Sequence, residues 1–530
     1  MSTFPSSDEK IVPDVTVVKR SFAGVWILAA TILGSSMAFI DSTAVNVALP
    51  VLQADLDASI GDLQWIINGY VLFLASLLLV GGALGDRLGR KRMFIVGITI
   101  FAGASVWAGL SPNSTSLIMA RAVQGIGGAI FVPGSLALIG ACFSDSERGA
   151  AIGTWSAASA LTTVAGPVLG GFLAEELSWR WVFFINIPIA VVVIAIAIAR
   201  VPESREPSDS KIDWLGGALA TIGLAGLVYG LTESTNSGLG DPIVLASIAV
   251  GIAALIGFGV AEAKVANPMM PLGVFKNRSF TGANVLTLFL YAALGGFIFF
   301  VPLNLVQVQG YTATEAGLAM FPFLLLIATV SRWSGGLVVK IGAKIPLTVG
   351  PSLVGIGLLL FARPGIEGPG FSTYMTQYFP AIFLTGLGMA ITVAPLVTVV
   401  MSTVDQRLSG LASGINNALS RTAMLLAVAV FGVVSLGLFN NALDNNLIAS
   451  AASTDVVEYL DGERTKLAGA ELPPGLAGDA AVSAQLAIDE AFIDAFRGVI
   501  YVVALLAFLS AFIALAVIET HPKQGAQYES

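Results

Sequence analysis

The sequence predicts an all-α polytopic membrane protein. It has two six-helix bundles with two inserted helices, fourteen transmembrane helices in all, and both termini in the cytoplasm. Three observations predict it. The chain is too apolar for a soluble domain, its apolar runs are long enough to cross a bilayer, and its basic residues crowd into alternate connections. Of 530 residues, 56% are apolar and 11% charged, with mean hydropathy +0.86. Soluble domains carry about 45–50% apolar and about 25% charged residues.

Taken in order, residues 1–21 form a polar tail. The opening "MSTFPSSDEKIVPDVTVVKR" lacks the short apolar core of a cleavable signal. Lys19 and Arg20 then hold that end in the cytoplasm. A bilayer core of about 30 Å needs roughly 20 helical residues. On that measure the helices lie at 22–49, 65–85, 94–111, 116–142, 150–174, 182–201, 214–233, 243–262, 281–306, 317–339, 346–363, 378–402, 411–439 and 497–518. If the N-terminus is inside, 18 of the 26 Lys and Arg residues fall on cytoplasmic connections, 5 on outer ones, and Arg121, Arg332 and Arg421 within spans. A missed helix would scramble that asymmetry.

The chain repeats itself. "GALGDRLGRK" (82–91) is echoed by "GGLVVKIGAK" (335–344), and "SDSERGAAIGTWSAASAL" (144–161) by "STVDQRLSGLASGINNAL" (402–419). Both echoes are shifted by eight helices, so two helices stand between two six-helix repeats. This divides the chain into a bundle at 22–201, a linker at 202–280 carrying helices 7 and 8, and a bundle at 281–518 followed by a cytoplasmic tail at 519–530. Repeats of this kind typify secondary transporters, with substrate bound near mid-membrane between them. Residues 440–496 form a long extracytoplasmic loop, in which 479–496 has helical spacing and "ELPPG" (471–475) marks a turn.

Composition also excludes. The single cysteine, Cys142, rules out a disulfide framework or a cysteine-rich metal site, and the single histidine, His521, lies in the tail. No metal or cofactor is expected, and neither clustered His and Cys nor paired carboxylates suggest an enzyme. There is no GxxxxGK[ST] phosphate loop, so ATP hydrolysis in this chain cannot drive transport. The net charge of −8 offers no basic surface for nucleic acid.

Five motifs carry a resemblance. "GALGDRLGRKR" at the second connection, "RAVQGIGGA" (121–129), "AGPVLGG" (165–171), "IDSTAVNVALP" (40–50) and "WRWVFFINIP" (179–188) resemble, in order, signatures of the major facilitator superfamily. They point to its fourteen-helix drug:proton antiporter branch. Two departures are Thr162, where the helix 5 motif usually starts with glycine, and Val339, where the second-half loop lacks an aspartate. The resemblance implies a cytoplasmic latch of Gly82, Asp86, Gly89, Arg90 and Asp145, with the start of helix 13 near Leu408 to Leu411 as partner. On the residues alone, the glycines permit close backbone approach, Asp86 suits a helix N-terminus, and Arg90 can bridge to Asp145. The same basic residues also fix topology. In the antiporter motif, Pro167 removes a helix hydrogen bond and Gly166, Gly170 and Gly171 open a groove for a neighbour. "GIGG" (125–128) reads as a packing face.

Of the 34 acidic residues, only Asp41 stands well inside a span. An ionised carboxylate in hydrocarbon is costly, so it must pair or face a cavity. Arg121 is the expected partner, because the two lie within roughly 6 Å in depth at 1.5 Å rise per residue. Burial favours the neutral carboxyl and a neighbouring guanidinium the charged one. An aspartate held between them can therefore bind and release a proton, while arginine stays charged. A purely structural pair is the alternative.

The chain is accordingly expected to be a proton-coupled exporter of amphiphilic small molecules in the cell membrane, working by alternating-access antiport. The expected polar and aromatic lining comprises Asn46, Gln64, Trp65, Asn68 and Tyr70, then Gln124 and Trp155, and in the second half Tyr291, Asn304, Gln307, Asn416, Asn417 and Arg421. Arg332 lies nearer a helix end, where it can snorkel. Three intramembrane cations against one anion argue against multiply charged cationic substrates. Expected partners are the substrate, protons and membrane lipids. The 440–496 loop leaves two roles open, gating the exit or docking a periplasmic accessory protein. A lipid flippase on the same fold and a non-transporting membrane sensor remain as rival readings.

Overall fold

The structure, a computed structural model, describes residues 22–143, 145–204, 213–265, 268, 270–404 and 409–520. Its helices are α1 (Phe22–Leu56), α2 (Ile60–Leu88), α3 (Arg90–Gly109), α4 (Ser114–Cys142), α5 (Asp145–Phe172), α6 (Trp181–Arg200), α7 (Trp214–Ser237) and α8 (Pro242–Lys264). The second half has α9 (Arg278–Leu303), α10 (Ala313–Ser334), α11 (Lys344–Phe361), α12 (Phe371–Ser402), α13 (Ser409–Ala449) and α14 (Asp479–Val517). Among the described residues, thirteen helical segments are long and apolar enough to cross a membrane. Helix α5 packs between α1 and α10.

Several boundaries follow from capping. Helix α2 begins earlier than its apolar run, because Ser59 accepts from the Asp62 amide and Asp62 returns a bond to the Ser59 amide. Thr312 and Glu315 open α10 in the same way. The last two long helices outgrow the membrane: α13 runs 41 residues and α14 runs 39, each about 60 Å at 1.5 Å per residue. Their projecting ends and a short helix at Thr454–Glu463 make up most of the 440–496 segment, which is a folded cap.

The two halves pack alike. In the first, α1 lies on α5 and α6, α2 on α4, and α3 on α4 and α6. In the second, α9 lies on α13 and α14, α10 on α12, and α11 on α12 and α14. The correspondence is a shift of eight helices. It extends to single glycines. Gly97 and Gly127 face each other across α3 and α4, where a Cβ on either would lie under 3.0 Å from the other's backbone, and Gly350 and Gly388 do the same across α11 and α12. Helices α7 and α8 pair with each other, and α7 also touches α2 and α13 along the seam between the halves.

The start of α1 and the end of α14 define one face, here the terminal face; the cap lies on the opposite, distal face. The halves meet distally. A Cβ at Gly171 would lie 2.4 Å from the Ala313 carbonyl oxygen, and one at Gly317 2.4 Å from that of Pro167, so α5 and α10 touch backbone to backbone. Among the described residues, no hydrogen bond joins the halves at the terminal face. The protein is closed distally.

Candidate transport site

Asp41 sits on α1, fully buried, and Arg121 on α4 donates through Nη1 to its Oδ2. Neither depends on the other alone. Arg121 Nη1 also donates to Gln124 Oε1 at 2.9 Å, and Nε to the Ile66 carbonyl at 2.9 Å. The guanidinium carbon stands 4.5 Å from the Tyr70 ring centroid and 5.8 Å from that of Phe183, so aromatic faces cover it. Asp41 Oδ1 receives Gln124 Nε2 at 3.2 Å and Asn186 Nδ2 at 3.4 Å, and the Gln124 amide also donates to Ser105 at 2.8 Å. The carboxylate and its counter-ion are thus held by α1, α2, α3, α4 and α6 together.

Sequence reasoning missed Ser105, Phe183 and Asn186, although Phe183 and Asn186 fall within "WRWVFFINIP". The same motif ties down α1 distally: Trp179 Nε1 donates to Asp55 at 2.7 Å and Arg180 Nη1 at 3.2 Å. Gln124, expected to line the substrate cavity, belongs to the ion-pair cage, because its position three residues after Arg121 puts it on the same helix face.

The remaining expected residues divide into three groups. Tyr70 is buried against Phe101 and the Arg121 guanidinium with its hydroxyl unpartnered, while Tyr291 on α9 and Arg421 on α13 are half-buried. Asn68 is buried on α2 with both amide atoms unpartnered, and Asn46 borders a cleft with Thr43, Pro167, Pro302 and Phe323. Buried Asn304 also leaves its amide nitrogen unpartnered. Four residues bond or stack on other neighbours. Trp65 lies on Tyr229 of α7 with ring centroids 6.1 Å apart, and Trp155 donates to Ser35 at 3.1 Å. Asn416 donates to Asn284 and Thr287 of α9 at 3.1 and 2.7 Å, and exposed Asn417 donates to Ser413.

Gln64 and Gln307 form the third group and close the distal seam. Gln64 Nε2 donates to the Val428 carbonyl at 3.0 Å over Gly432, where any Cβ would strike it. Gln307 donates to Gln53 at 2.6 Å, and Gln53 to the Lys466 carbonyl at 3.0 Å. Lys466, in the cap, bonds Asp57 at the α1–α2 connection as well as Glu463. Burial opposes its charge, but the hydrogen bonds to Asp57 and Glu463 outweigh that and hold its pKa above the ordinary 10.5. The Thr314 amide donates to Glu175 at 2.9 Å across the same seam.

In the antiporter motif, Gly166 faces Thr43, Gly170 faces Ala44, and Gly171 faces Ala313, with Pro167 packed against Gly317. The groove therefore holds α1 on one side and α10 on the other. Thr162 spends its hydroxyl on the Ser159 carbonyl. At the expected latch, Gly82 stands over Pro133, and Arg90 Nε bonds Asp86 at 2.7 Å within one turn. Gly89 has φ +112°, and the α3 N-terminus is capped by Glu203, which accepts from the Lys91 and Arg92 amides at 3.1 and 3.2 Å. The Asp145 side chain, residues 405–408 and the side chains at 409–411 lie outside the described residues.

Similarity to known proteins agrees with this architecture. The Major Facilitator Superfamily model matches residues 31–453. The tetracenomycin C resistance and export protein of Streptomyces glaucescens is 32% identical over 77% of this chain and 75% of its own length. The multidrug resistance protein Stp of Mycobacterium tuberculosis (strain CDC 1551 / Oshkosh) is 32% identical over 79% and 77%. Among solved structures, an inward-facing, unoccupied bacterial homolog of the human lysosomal transporter Spinster matches with TM-score 0.65 at 16% identity, covering 94% of this chain and 99% of that one. The peptide transporter POT in complex with sulfate matches with TM-score 0.61 at 12% identity, over 95% and 98%. These two share the fold. The chain is a multi-pass membrane transporter for small molecules, and it belongs to the major facilitator superfamily.

Proposed function

We propose that the protein is a proton-coupled exporter of amphiphilic small molecules, working by alternating-access antiport in the cell membrane. The observation that carries this reading is the cage around Asp41, the one carboxylate deep in a span, buried against an arginine. The basic-residue asymmetry makes the terminal face cytoplasmic, so the state described here is closed to the outside. In it, Arg121, Gln124 and Asn186 all favour the ionised carboxylate. Opening distally separates α5 from α10 and lets water reach α1 from outside. There a proton can neutralise Asp41 and free Arg121 from its partner. Return to the inward state re-forms the cage and expels the proton inward, which ties one direction of rocking to proton entry and the other to export. The sealed seam at Gly171, Gln53 and Gln64 keeps protons from crossing while the cage is intact.

Everted vesicles test the reading. Respiration acidifies the lumen, and cationic, neutral and anionic amphiphiles are added singly while a pH-sensitive dye reports lumenal pH. Substrate-evoked proton release in the wild type that disappears in Asp41→Asn is the expected result. Release that survives the substitution would reduce Asp41 to a structural partner of Arg121.

A further inference from the structure

Helices α7 and α8 stand outside both bundles, and neither the ion-pair cage nor the distal seam uses them. They form one unit. A Cβ at Gly226 would lie 2.9 Å from the Gly251 Cα, and one at Gly251 2.6 Å from the Leu227 amide nitrogen, so the two backbones touch. Small residues at such a crossing give close packing without polar bonds. Asp213 caps the start of α7, and Asp241 that of α8.

The pair lies across one seam between the halves. Helix α7 packs on α2 of the first half and on α13 of the second, and α8 packs on α7. The contact with α2 is long. A Cβ at Gly61 would lie 3.0 Å from Thr235 Oγ1, the Trp65 and Tyr229 ring centroids are 6.1 Å apart, and a Cβ at Gly217 would lie 2.9 Å from Val80 Cγ2. From Gly61 to Val80, α2 rises about 28 Å at 1.5 Å per residue, close to the roughly 30 Å of a bilayer core. The side-chain contact with α13 centres on an apolar patch, in which Leu425 joins Leu72, Leu224 and Val228. Among the described residues, no hydrogen bond or ion pair joins α7 to α13.

The two ends of the hairpin are moored to different halves. Ahead of α7, Glu203 accepts from the Lys91 and Arg92 amides, and the Ser204 carbonyl accepts from the Arg90 amide at 2.8 Å, which pins that approach to α3. Beyond α8, Thr281 of α9 donates to the Phe275 carbonyl at 2.6 Å, and Asn277 donates to that of Thr403 at 3.0 Å. Distal opening parts α2 from α13, where Gln64 holds the Val428 carbonyl three residues beyond Leu425. The hairpin must then slip over one of them. Slipping along α2 disturbs contacts at three heights, whereas slipping on α13 exchanges apolar contacts that are individually weak and carry no direction.

We propose that the α7–α8 hairpin is a cover for the α2–α13 seam, carried by the first half and sliding over α13 at Leu425 as the halves rock. It keeps acyl chains out of the gap that distal opening makes on this side. The cover rests on the alternating access of the reading above and not on proton coupling.

The test is double electron–electron resonance on the full chain in nanodiscs, with paired spin labels in a Cys142→Ala background. Exposed positions supply three pairs: Ala54 of α1 with Asn236 of α7, Asn236 with Asn441 of α13, and Ala54 with Asn441. Gly171→Val strains the closed distal seam and so populates the open state. From wild type to Gly171→Val, the 54–441 and 236–441 distances should lengthen together, and the 54–236 distance should not shift. Lys466→Ala loosens the same seam without adding bulk, and should give the same order with a smaller shift. A 54–236 distance that lengthens while 236–441 holds would assign the hairpin to the second half and overturn the proposal. So would equal lengthening of both, or a 236–441 distance unchanged in both variants. These distances need neither substrate nor a proton gradient, so failure of the vesicle experiment would leave them standing and break only the exporter reading.

Discussion

Two arginines stand deep within helices, Arg121 on α4 and Arg421 on α13, and they are treated in opposite ways. Arg121 is saturated: a carboxylate, an amide, a carbonyl and two aromatic faces enclose it. Arg421 makes no hydrogen bond and no ion pair among the described residues. The first half has therefore completed its electrostatics internally, and the second keeps a deep charge with no bonded partner among the described residues. An internally satisfied pair can switch only when something small enough to enter the cage, a proton, changes one partner. An unsatisfied cation can respond to whatever the cleft admits.

Stability measurements sharpen the contrast most. Arg121→Ala would leave Asp41 buried without its counter-ion, and breaking such a pair costs about 3–5 kcal/mol. Arg421→Ala removes a charge that has no bonded partner among the described residues, so it should leave stability within about 1 kcal/mol of wild type or raise it. Thermal unfolding of the detergent-purified proteins should show a large fall in Tm for the first and none for the second. Similar falls would break the comparison.

The contrast also assumes that both arginines are viewed with the distal seam shut. Gly171→Val would place a side chain into the Ala313 and Thr314 backbone, at a cost of about 1–3 kcal/mol to the closed state. Cysteine pairs spanning α5 and α10 should then cross-link less, and distal positions on α1 should become more accessible to a thiol reagent. Unchanged cross-linking would show that the seam is looser than its glycines imply.

The smallest effect belongs to the cap. Lys466→Ala removes the bonds to Asp57 and Glu463, and partly exposed ion pairs are worth about 0–1 kcal/mol. A few-fold shift toward the distally open state is expected in the same accessibility assay. Because its pKa is raised in the folded protein, the Lys466 contribution is fully present below the ordinary 10.5 and is lost only as pH climbs through the higher folded value. The Lys466 effect should therefore be the same at pH 7 and pH 9.

Much of this was legible in the residues. Apolar runs located the spans, and two echoes shifted by eight helices anticipated a packing pattern that repeats with that shift. Depth arithmetic alone brought Asp41 to Arg121, because a helix fixes height per residue. What it does not fix is which way a neutral side chain turns. Asn186 and Ser105 give no periodic or charge signal, so their place in the cage depended on how α3 and α6 rotate. Trp65 turned to Tyr229 because the inserted α7 lies against α2, a neighbour that the pattern within α2 does not reveal. Lys466 meets Asp57 across 409 positions of chain, and opposite charges in two loops carry no register by which to pair them.

The account turns on Asp41 as the proton's only deep foothold. Its most direct test reconstitutes wild type and Asp41→Asn in liposomes and follows one fluorescent amphiphile in two modes. In the first, substrate exchanges across the membrane at equal pH; in the second, a pH gradient drives its accumulation. The account predicts that Asp41→Asn still exchanges, while gradient-driven accumulation falls to the level of empty liposomes. Accumulation equal to wild type in Asp41→Asn would contradict it.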